Sequence, residues 1–240
     1  MFFKLFYKIR NLFINLIINA IQYDRMNFVS FLQTKAHEKT IEILGDDISN
    51  SLFFENKHEL WDLTIDYIKN INKKNNIKVC LEFGVGAGES IRFFAKKLKL
   101  KEIDIIGFDT FYGNPEVWPG TNNKIGSSNQ NGELPKNLPK NAKIVKGLIE
   151  NTLEEYLKKN NITKIDFIHI DVNIYSASKH ILQKTKKYMD SGSYILFDEL
   201  VNYPYWWQNG EYKALIETYN NNEFEYVAFD KAKKSLIKIL

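Results

Sequence analysis

Apolar residues recur along this chain with two different periods, and the change between them falls near residue 77. Up to that point the spacing is helical. In "NKHELWDLTIDYIKNI", Leu60, Leu63, Ile65, Ile68 and Ile71 make an apolar stripe along one helix face. Residues 24 to 76 read as helices throughout, closed by the polar break "NKKNN". Beyond it, the apolar runs "IKVCLEF", "IDIIGF", "AKIVKG", "KIDFIHI", "SYILF", "FEYVAF" and "SLIKIL" read as strands. Between them lie the helical patterns "GESIRFFAKKLK", "TLEEYLKKN", "ASKHILQKTKKYM" and "EYKALIETY". This alternation predicts an α/β fold with a doubly wound, mostly parallel seven-stranded sheet covered on both faces. The last two strands are separated only by a short turn, which predicts an antiparallel pair at one edge. The domain organisation that follows is an N-terminal helical extension over 1–76 and a ligand-binding domain over 77–240.

Two stretches depart from this rhythm. Residues 110 to 141 carry Pro115, Pro119, Pro135 and Pro139 among Gly, Asn and Ser. A connection this long without structure of its own is typically a functional lid or disordered, and Trp118 favours a lid that packs on something. At the start, Phe2, Leu5, Phe6, Ile9, Leu12, Phe13, Leu16 and Ile17 follow helical spacing, with Lys4, Lys8 and Arg10 among them. A spanning helix needs about 20 predominantly apolar residues. Asn11, Asn15 and Asn19 interrupt this one, so an amphipathic helix is predicted instead. Two placements stay open for residues 1–23: packed on the domain or a second subunit, or laid on a membrane surface with its basic residues at the headgroups.

Composition narrows the class. A chain of 240 residues can bury one sizeable core. The net charge of +4 is too mild and too scattered to argue for a nucleic-acid partner. The single cysteine, Cys80, lies in an apolar run, so neither a disulfide framework nor a cysteine-rich metal site is available, and a reducing cytoplasm fits.

Candidate chemistry gathers at the ends of the expected strands. "LEFGVGAGES" joins the first strand to its helix, and Gly84, Gly86 and Gly88 let a ligand approach the backbone and the free N–H groups of the helix start. The next strand ends in "GFDTF", which puts Asp109 where a carboxylate binds ribose hydroxyls. A nucleoside-containing ligand follows. Glu82, just ahead of the glycines, repels a diphosphate and suits a cationic ligand; S-adenosylmethionine, with a sulfonium and an ammonium, is such a ligand. Asp171 closes "KIDFIHI", and Asp198 and Glu199 close "SYILF". Three carboxylates at neighbouring strand ends repel one another unless protonated or bridged by a hard cation such as Mg²⁺ or Ca²⁺; the alternative makes one or two of them helix N-caps. His169 is expected to be a hydrogen-bonded core residue, turned toward the covering helices and away from the side where Asp171 emerges. "YSASK" spells Tyr-x-x-x-Lys, the proton-donating pair of short-chain dehydrogenases, in Tyr175 and Lys179.

Jointly, "LEFGVGAGESI", "GFDTFYGNPEVW", "VKGLIENTL", "HIDVNIYSASK" and "FDELVNYPYW" resemble class I S-adenosylmethionine-dependent methyltransferases, in particular the macrocin O-methyltransferase group, whose members often modify sugars in antibiotics or surface glycans. The resemblance runs from about residue 79 to 212. It implies that Glu82, Gly84, Gly86 and Ser90 line the methionine end of the cofactor. Asp109 would take the ribose, Phe111 would lie beside the adenosine, and Gly147 and Leu148 would flank adenine. Asp171, Asp198 and Glu199 would hold a divalent cation, Mg²⁺ first, with Asn202 or water completing the shell. Asp171 also borders the cofactor and would receive the acceptor's proton. Tyr203, Trp206 and Trp207 would wall the pocket for a small acceptor, a sugar or sugar derivative. In the "HIDxD" motif of the family the second acid is replaced here by Asn173. Two further readings remain: a nicotinamide-dependent dehydrogenase using Tyr175 and Lys179, and a cofactor-binding scaffold without turnover.

Overall fold

The computed structural model describes residues 10, 12–14, 16, 28–71, 79–99 and 103–240. The amphipathic helix predicted near the start lies almost wholly outside the described residues. Helix α1 (Phe28–Ser49) is followed by strand β1 (Leu52–Phe54) and helix α2 (Lys57–Asn70). The alternating part then runs β2 (Val79–Phe83), α3 (Glu89–Leu98), β3 (Asp104–Asp109), β4 (Ala142–Lys146), α4 (Ile149–Lys159), β5 (Phe167–Ile170) and α5 (Tyr175–Thr185). It closes with β6 (Tyr194–Phe197), α6 (Glu211–Ile216), β7 (Phe224–Asp230) and β8 (Ser235–Ile239). Among the described residues no helix is long and apolar enough to cross a membrane.

All eight strands form one sheet in the order β1-β7-β8-β6-β5-β2-β3-β4. Every neighbouring pair is parallel except those made by β8, which runs antiparallel to both β6 and β7. The seven predicted strands are present, and the eighth is β1, which adds parallel to β7 with Leu52 opposite Ala228. Three residues are too few to show a period inside a helical region, which is why the sequence pattern hides this strand. As a result, the antiparallel β7–β8 pair does not form the sheet's edge: β8 sits between β6 and β7, and β1 lies outside β7.

Strand alternation divides the core between the two faces of the sheet. On one face, Leu60, Trp61, Ile65 and Ile68 of α2 and Ile91, Phe94, Ala95 and Leu98 of α3 pack on Cys80, Ile105, Phe167 and Leu196. The other face receives α1, α4, α5 and α6, whose Leu44, Leu153, Ile181 and Leu215 cluster with Leu81, Phe83, Ile168, Ile170 and Phe197. Helix α2 begins where the Asn56 side chain accepts from the His58 and Glu59 amides at 3.1 and 3.2 Å, a cap worth about 1 kcal/mol. Helix α1 is seated by the Trp206 indole, which donates to the Ala36 carbonyl at 3.1 Å, and by Thr40, whose hydroxyl donates to Asn202 Oδ1 at 2.8 Å.

Candidate active site

The chain leaves β2 toward β3 and β4 on one side and returns to β5 and β6 on the other. Between β2 and β5 the connections therefore diverge, and a crevice opens at the carboxyl ends of the strands. The cleft there has a volume of about 410 Å³. Gly84 makes the closure of β2 on β5 possible. Its φ is +87°, and a Cβ at this position would lie 1.8 Å from the Asp171 carbonyl oxygen. By contrast, nothing lies within 4 Å of a Cβ built on Gly86, so the turn is open toward the cleft at that point. The Gly86 amide donates to Asp109 Oδ2 at 2.7 Å, and the Phe111 amide donates to Asp109 Oδ1 at 2.7 Å. One carboxylate thus ties the glycine turn to the end of β3, and Asp109 lines the cleft.

Residues 110 to 141 contain neither helix nor strand and form the roof. Gly113, Asn114, Pro115, Ser128 and Gln130 from this segment line the cleft. Trp118 anchors one end edge-on against Tyr203, with ring centroids 5.2 Å apart. Arg92 anchors the other, donating to the Ala87 carbonyl at 2.8 Å and the Lys136 carbonyl at 3.2 Å.

Beneath the cleft a buried polar chain crosses the sheet on the α2–α3 face. The Ser90 hydroxyl donates to Glu82 at 2.9 Å, His169 lies between Glu82 Oε2 at 3.3 Å and Asp198 Oδ1 at 3.4 Å, and Lys234 donates to Asp198 at 2.8 Å. Burial opposes a charge on His169, but its bonds to Asp198 and Glu82 outweigh burial and push its pKa up to about 10. Burial likewise pushes Asp198 up, and His169 and Lys234 together pull it down to about 2. For Asp171 the His169 charge gives only partial relief. Burial first, then repulsion from Asp198 and Glu199, holds its pKa well above the carboxylate range.

A protein-family model described as a methyltransferase domain matches residues 81–200, half of the chain. The chain belongs to this methyltransferase family. No curated protein matches it in sequence. Among solved structures, the methyltransferase is similar to CalS11, a calicheamicin methyltransferase, with a TM-score of 0.58 at 21% identity over 88% of this chain and 89% of that one. It is also similar to the O-methyltransferase NovP, with a TM-score of 0.57 at 13% identity over 75% and 79% of the two chains. At these identities the likeness is one of fold: a class I methyltransferase sheet with one strand beyond the predicted seven. The methyltransferase is S-adenosylmethionine-dependent.

Of the residues singled out from the sequence, Gly84, Gly86, Ser90, Asp109, Leu148, Asp171 and Asp198 line the methyltransferase's cleft. Glu82 stands behind it, fully buried, with its oxygens taken by Ser90 and His169. Phe111 is buried in the core on the α2–α3 side, and Gly147 donates its amide to the Asp109 carbonyl at 2.9 Å; neither borders the cleft. Tyr203 and Trp206 are core residues, with Tyr203 donating to the Asn209 carbonyl at 2.9 Å. Trp207 lines a separate surface hollow with Phe31, Leu32 and Tyr205, so these three aromatics do not wall the cleft. Asn202 is committed to seating α1 and the β7–β8 turn, through Thr40 and the Ala232 carbonyl. Tyr175 and Lys179 both bond Glu217 and face away from the cleft, which leaves the dehydrogenase reading without its acid at the site. The sequence reading missed Lys57, Trp61 and Glu89, which line the cleft from α2 and the first turn of α3.

His169 is a buried, hydrogen-bonded residue facing α2 and α3 as expected, but its side relative to Asp171 needs a correction. Residues two apart on a strand share a face, so His169 turns to the same side as Asp171. His169, Asp171 and Asp198 each bring one donor atom within 4.8 Å of one another. The carboxylate of Glu199 stands outside this group, and its Oε2 is buried without a partner. Burial, then repulsion from Asp198, pushes Glu199 up to about 7. Glu211, fully buried, accepts the Glu199 amide at 2.9 Å and is also raised, first by burial and then by Glu199. The buried Glu199 Oε2, which has no hydrogen-bond partner, and Asp171 are oxygen donors of the kind a hard divalent cation takes, whereas both oxygens of Asp198 are already engaged by His169 and Lys234. His169 has both ring nitrogens engaged by carboxylates and is better suited to orienting Asp198 than to ligating.

Proposed function

We propose that the chain is an O-methyltransferase that moves the methyl group of S-adenosylmethionine to a hydroxyl oxygen of a sugar or related small acceptor, with a divalent cation, Mg²⁺ first, assisting. One observation carries this reading: Asp109, suited to ribose, and Asp171, a carboxylate with raised proton affinity, line the same cleft. Cofactor and acceptor would thus meet over the ends of β2 and β5. The motif resemblance supports the acceptor class, as does the fold likeness to CalS11, described as a TDP-rhamnose 3'-O-methyltransferase. The mild net charge gives nucleic acid no support as a partner, and a single cysteine, Cys80, buried in the core, fits a cytoplasmic enzyme.

In this reaction the acceptor oxygen attacks the methyl carbon in line, the O–C bond forms, and the S–C bond breaks to leave S-adenosylhomocysteine. Asp171, which lines the cleft at the end of β5, is the carboxylate placed to take the proton of the hydroxyl. Asp171, Asp198 and Glu199 would hold the cation, which, when bound, lowers the pKa of a coordinated hydroxyl. Roof residues Asn114 and Ser128 supply polar contacts on the acceptor and exclude water when the segment is down. The test is transfer of an isotopically labelled methyl from S-adenosylmethionine to a panel of nucleotide-linked and free sugars, with and without EDTA. Labelled sugar that falls on chelation and returns with Mg²⁺ is expected. Cofactor binding without transfer to any acceptor would favour the scaffold reading, and full transfer in EDTA would remove the cation from it.

A further inference from the structure

S-adenosylmethionine ends in an α-amino acid, so its far end is a zwitterion that asks a site for one anion and one cation or N–H donor. The cleft is rich in the first and poor in the second. Glu89, Asp109, Glu150, Asp171 and Asp198 line it, whereas Lys57 is the one cationic side chain among the described residues that do so. Lys57 is the first residue of α2, held there by the Asn56 cap. Its Nζ lies 2.7 Å from Glu89 Oε1 and 5.0 Å from the centroid of the Trp61 ring. Trp61 in turn stands edge-on to His169 at 6.4 Å, and His169 bonds Glu82. Lys57 and Glu89 are thereby placed at the Glu82–Ser90 end of the cleft, opposite the Asp109 and Leu148 end suited to the nucleoside.

We propose that the Lys57–Glu89 ion pair is the receptor for the amino-acid end of the cofactor, Lys57 taking the α-carboxylate and Glu89 the α-ammonium. The inference rests on the cofactor assignment made above and adds the groups that touch its amino acid. Glu82 cannot make that contact directly, because it is fully buried and both its oxygens are engaged. An ion pair presents its two charges side by side, as the zwitterion does, and in the opposite order. Binding exchanges one ion pair for two. Because α2 lies outside the family-matched residues 81–200, the chain would complete its cofactor site with a residue the methyltransferase-domain match does not contain.

Calorimetry with two ligands tests this: S-adenosylhomocysteine, and its decarboxylated counterpart, in which the amino-acid end is a simple amine. Lys57→Met should weaken S-adenosylhomocysteine about tenfold or more, the size of a lost charge-assisted bond, and leave the decarboxylated ligand unchanged. Lys57→Arg should keep most of the affinity. Glu89→Gln should weaken both ligands, since both retain the amine. An equal fall for both ligands in Lys57→Met would mean that the residue acts through the fold of α2, and the proposal would be wrong. Unchanged S-adenosylhomocysteine affinity in Lys57→Met would also overturn it while leaving the cofactor assignment standing. Wild-type protein that binds neither ligand would sink the assignment and the inference together. Thermal unfolding without ligand checks that each variant is folded.

Discussion

Replacing Asp109 separates its two jobs, holding the turn and holding the cofactor. Its carboxylate accepts the Gly86 and Phe111 amides, both at 2.7 Å. Hydrogen bonds to a charged acceptor contribute about 1.5–3 kcal/mol each. Asp109 is half-buried, so water can re-solvate part of what is lost, and the low end applies. Asp109→Ala removes both acceptors and should cost about 2–3 kcal/mol of folding free energy. Asp109→Asn keeps one oxygen and turns an NH₂ donor toward a second amide, so about 1–2 kcal/mol is expected. For a chain of this length a kilocalorie moves the melting temperature by roughly 2–4 °C, so the alanine variant should melt about 5–10 °C lower. Scanning calorimetry on the ligand-free protein reads that term. Titration with S-adenosylhomocysteine and with homocysteine reads the other, because only the first has a ribose. Asparagine and alanine variants should both lose S-adenosylhomocysteine affinity by about tenfold or more. If either variant melts with the wild type and binds S-adenosylhomocysteine equally well, Asp109 neither fastens the turn nor meets the ribose, and the placement of the nucleoside is wrong.

Four other outcomes are expected. Arg92→Ala should speed amide hydrogen exchange across residues 133 to 137 with little change in melting temperature, since an exposed anchor of the roof is released while Trp118 still holds the other end. Tyr175→Phe and Lys179→Met should leave methyl transfer within about twofold of wild type, the scale of an exposed surface pair; a large loss would return that pair to the chemistry. Asp198→Asn strands His169 and Lys234 without their shared carboxylate and should cost about 3 kcal/mol, measurable by urea unfolding, besides lowering transfer. Glu199 has its folded pKa raised to about 7 against an ordinary 4.5. A raised acid contributes stability that is full below the unfolded value and lost as pH rises through the folded one. Glu199→Gln should therefore raise the melting temperature in EDTA at pH 8 and change little at pH 4; equal shifts at the two values would contradict the burial argument.

How much of this was legible in the sequence depended on whether the information was local. The alternating strands and helices after residue 77 carry their periodicity within a few residues each, and they are found where the pattern puts them. Gly84 and Asp109 could be placed because a glycine turn and the following strand end have a fixed relation in such sheets. What escaped was set by distant partners. The strand β1 exists because β7, far along the chain, offers an edge. Lys57 reaches the cleft because α2 packs beside α3, and nothing in "NKHELWDL" marks a cofactor contact. Trp206 was assigned to the acceptor wall from its aromatic character, yet the partner that fixes it is the Ala36 carbonyl on α1. His169 is the hydrogen-bonded core residue expected, facing α2 and α3; only its side relative to Asp171 was misjudged, and the two-residue period of a strand already puts the two together.

The pairing of β1 with β7 also sets an order of events. Phe54 can find its partner, Asp230, only after nearly the whole chain has been made, because synthesis proceeds from the N-terminus and sequence-distant pairing forms late. Helix α2 follows directly on β1, so this late pairing also ties down the N-terminal end of the helix that carries Lys57. Lys234, the counter-charge of Asp198, arrives with the turn between β7 and β8. A chain stopped before Phe224 would carry the glycine turn, Asp109, Asp171 and Lys57 but lack Lys234. In such a fragment Asp198 would keep His169 but lose its second counter-charge, so the polar chain beneath the cleft is completed only with the last two strands.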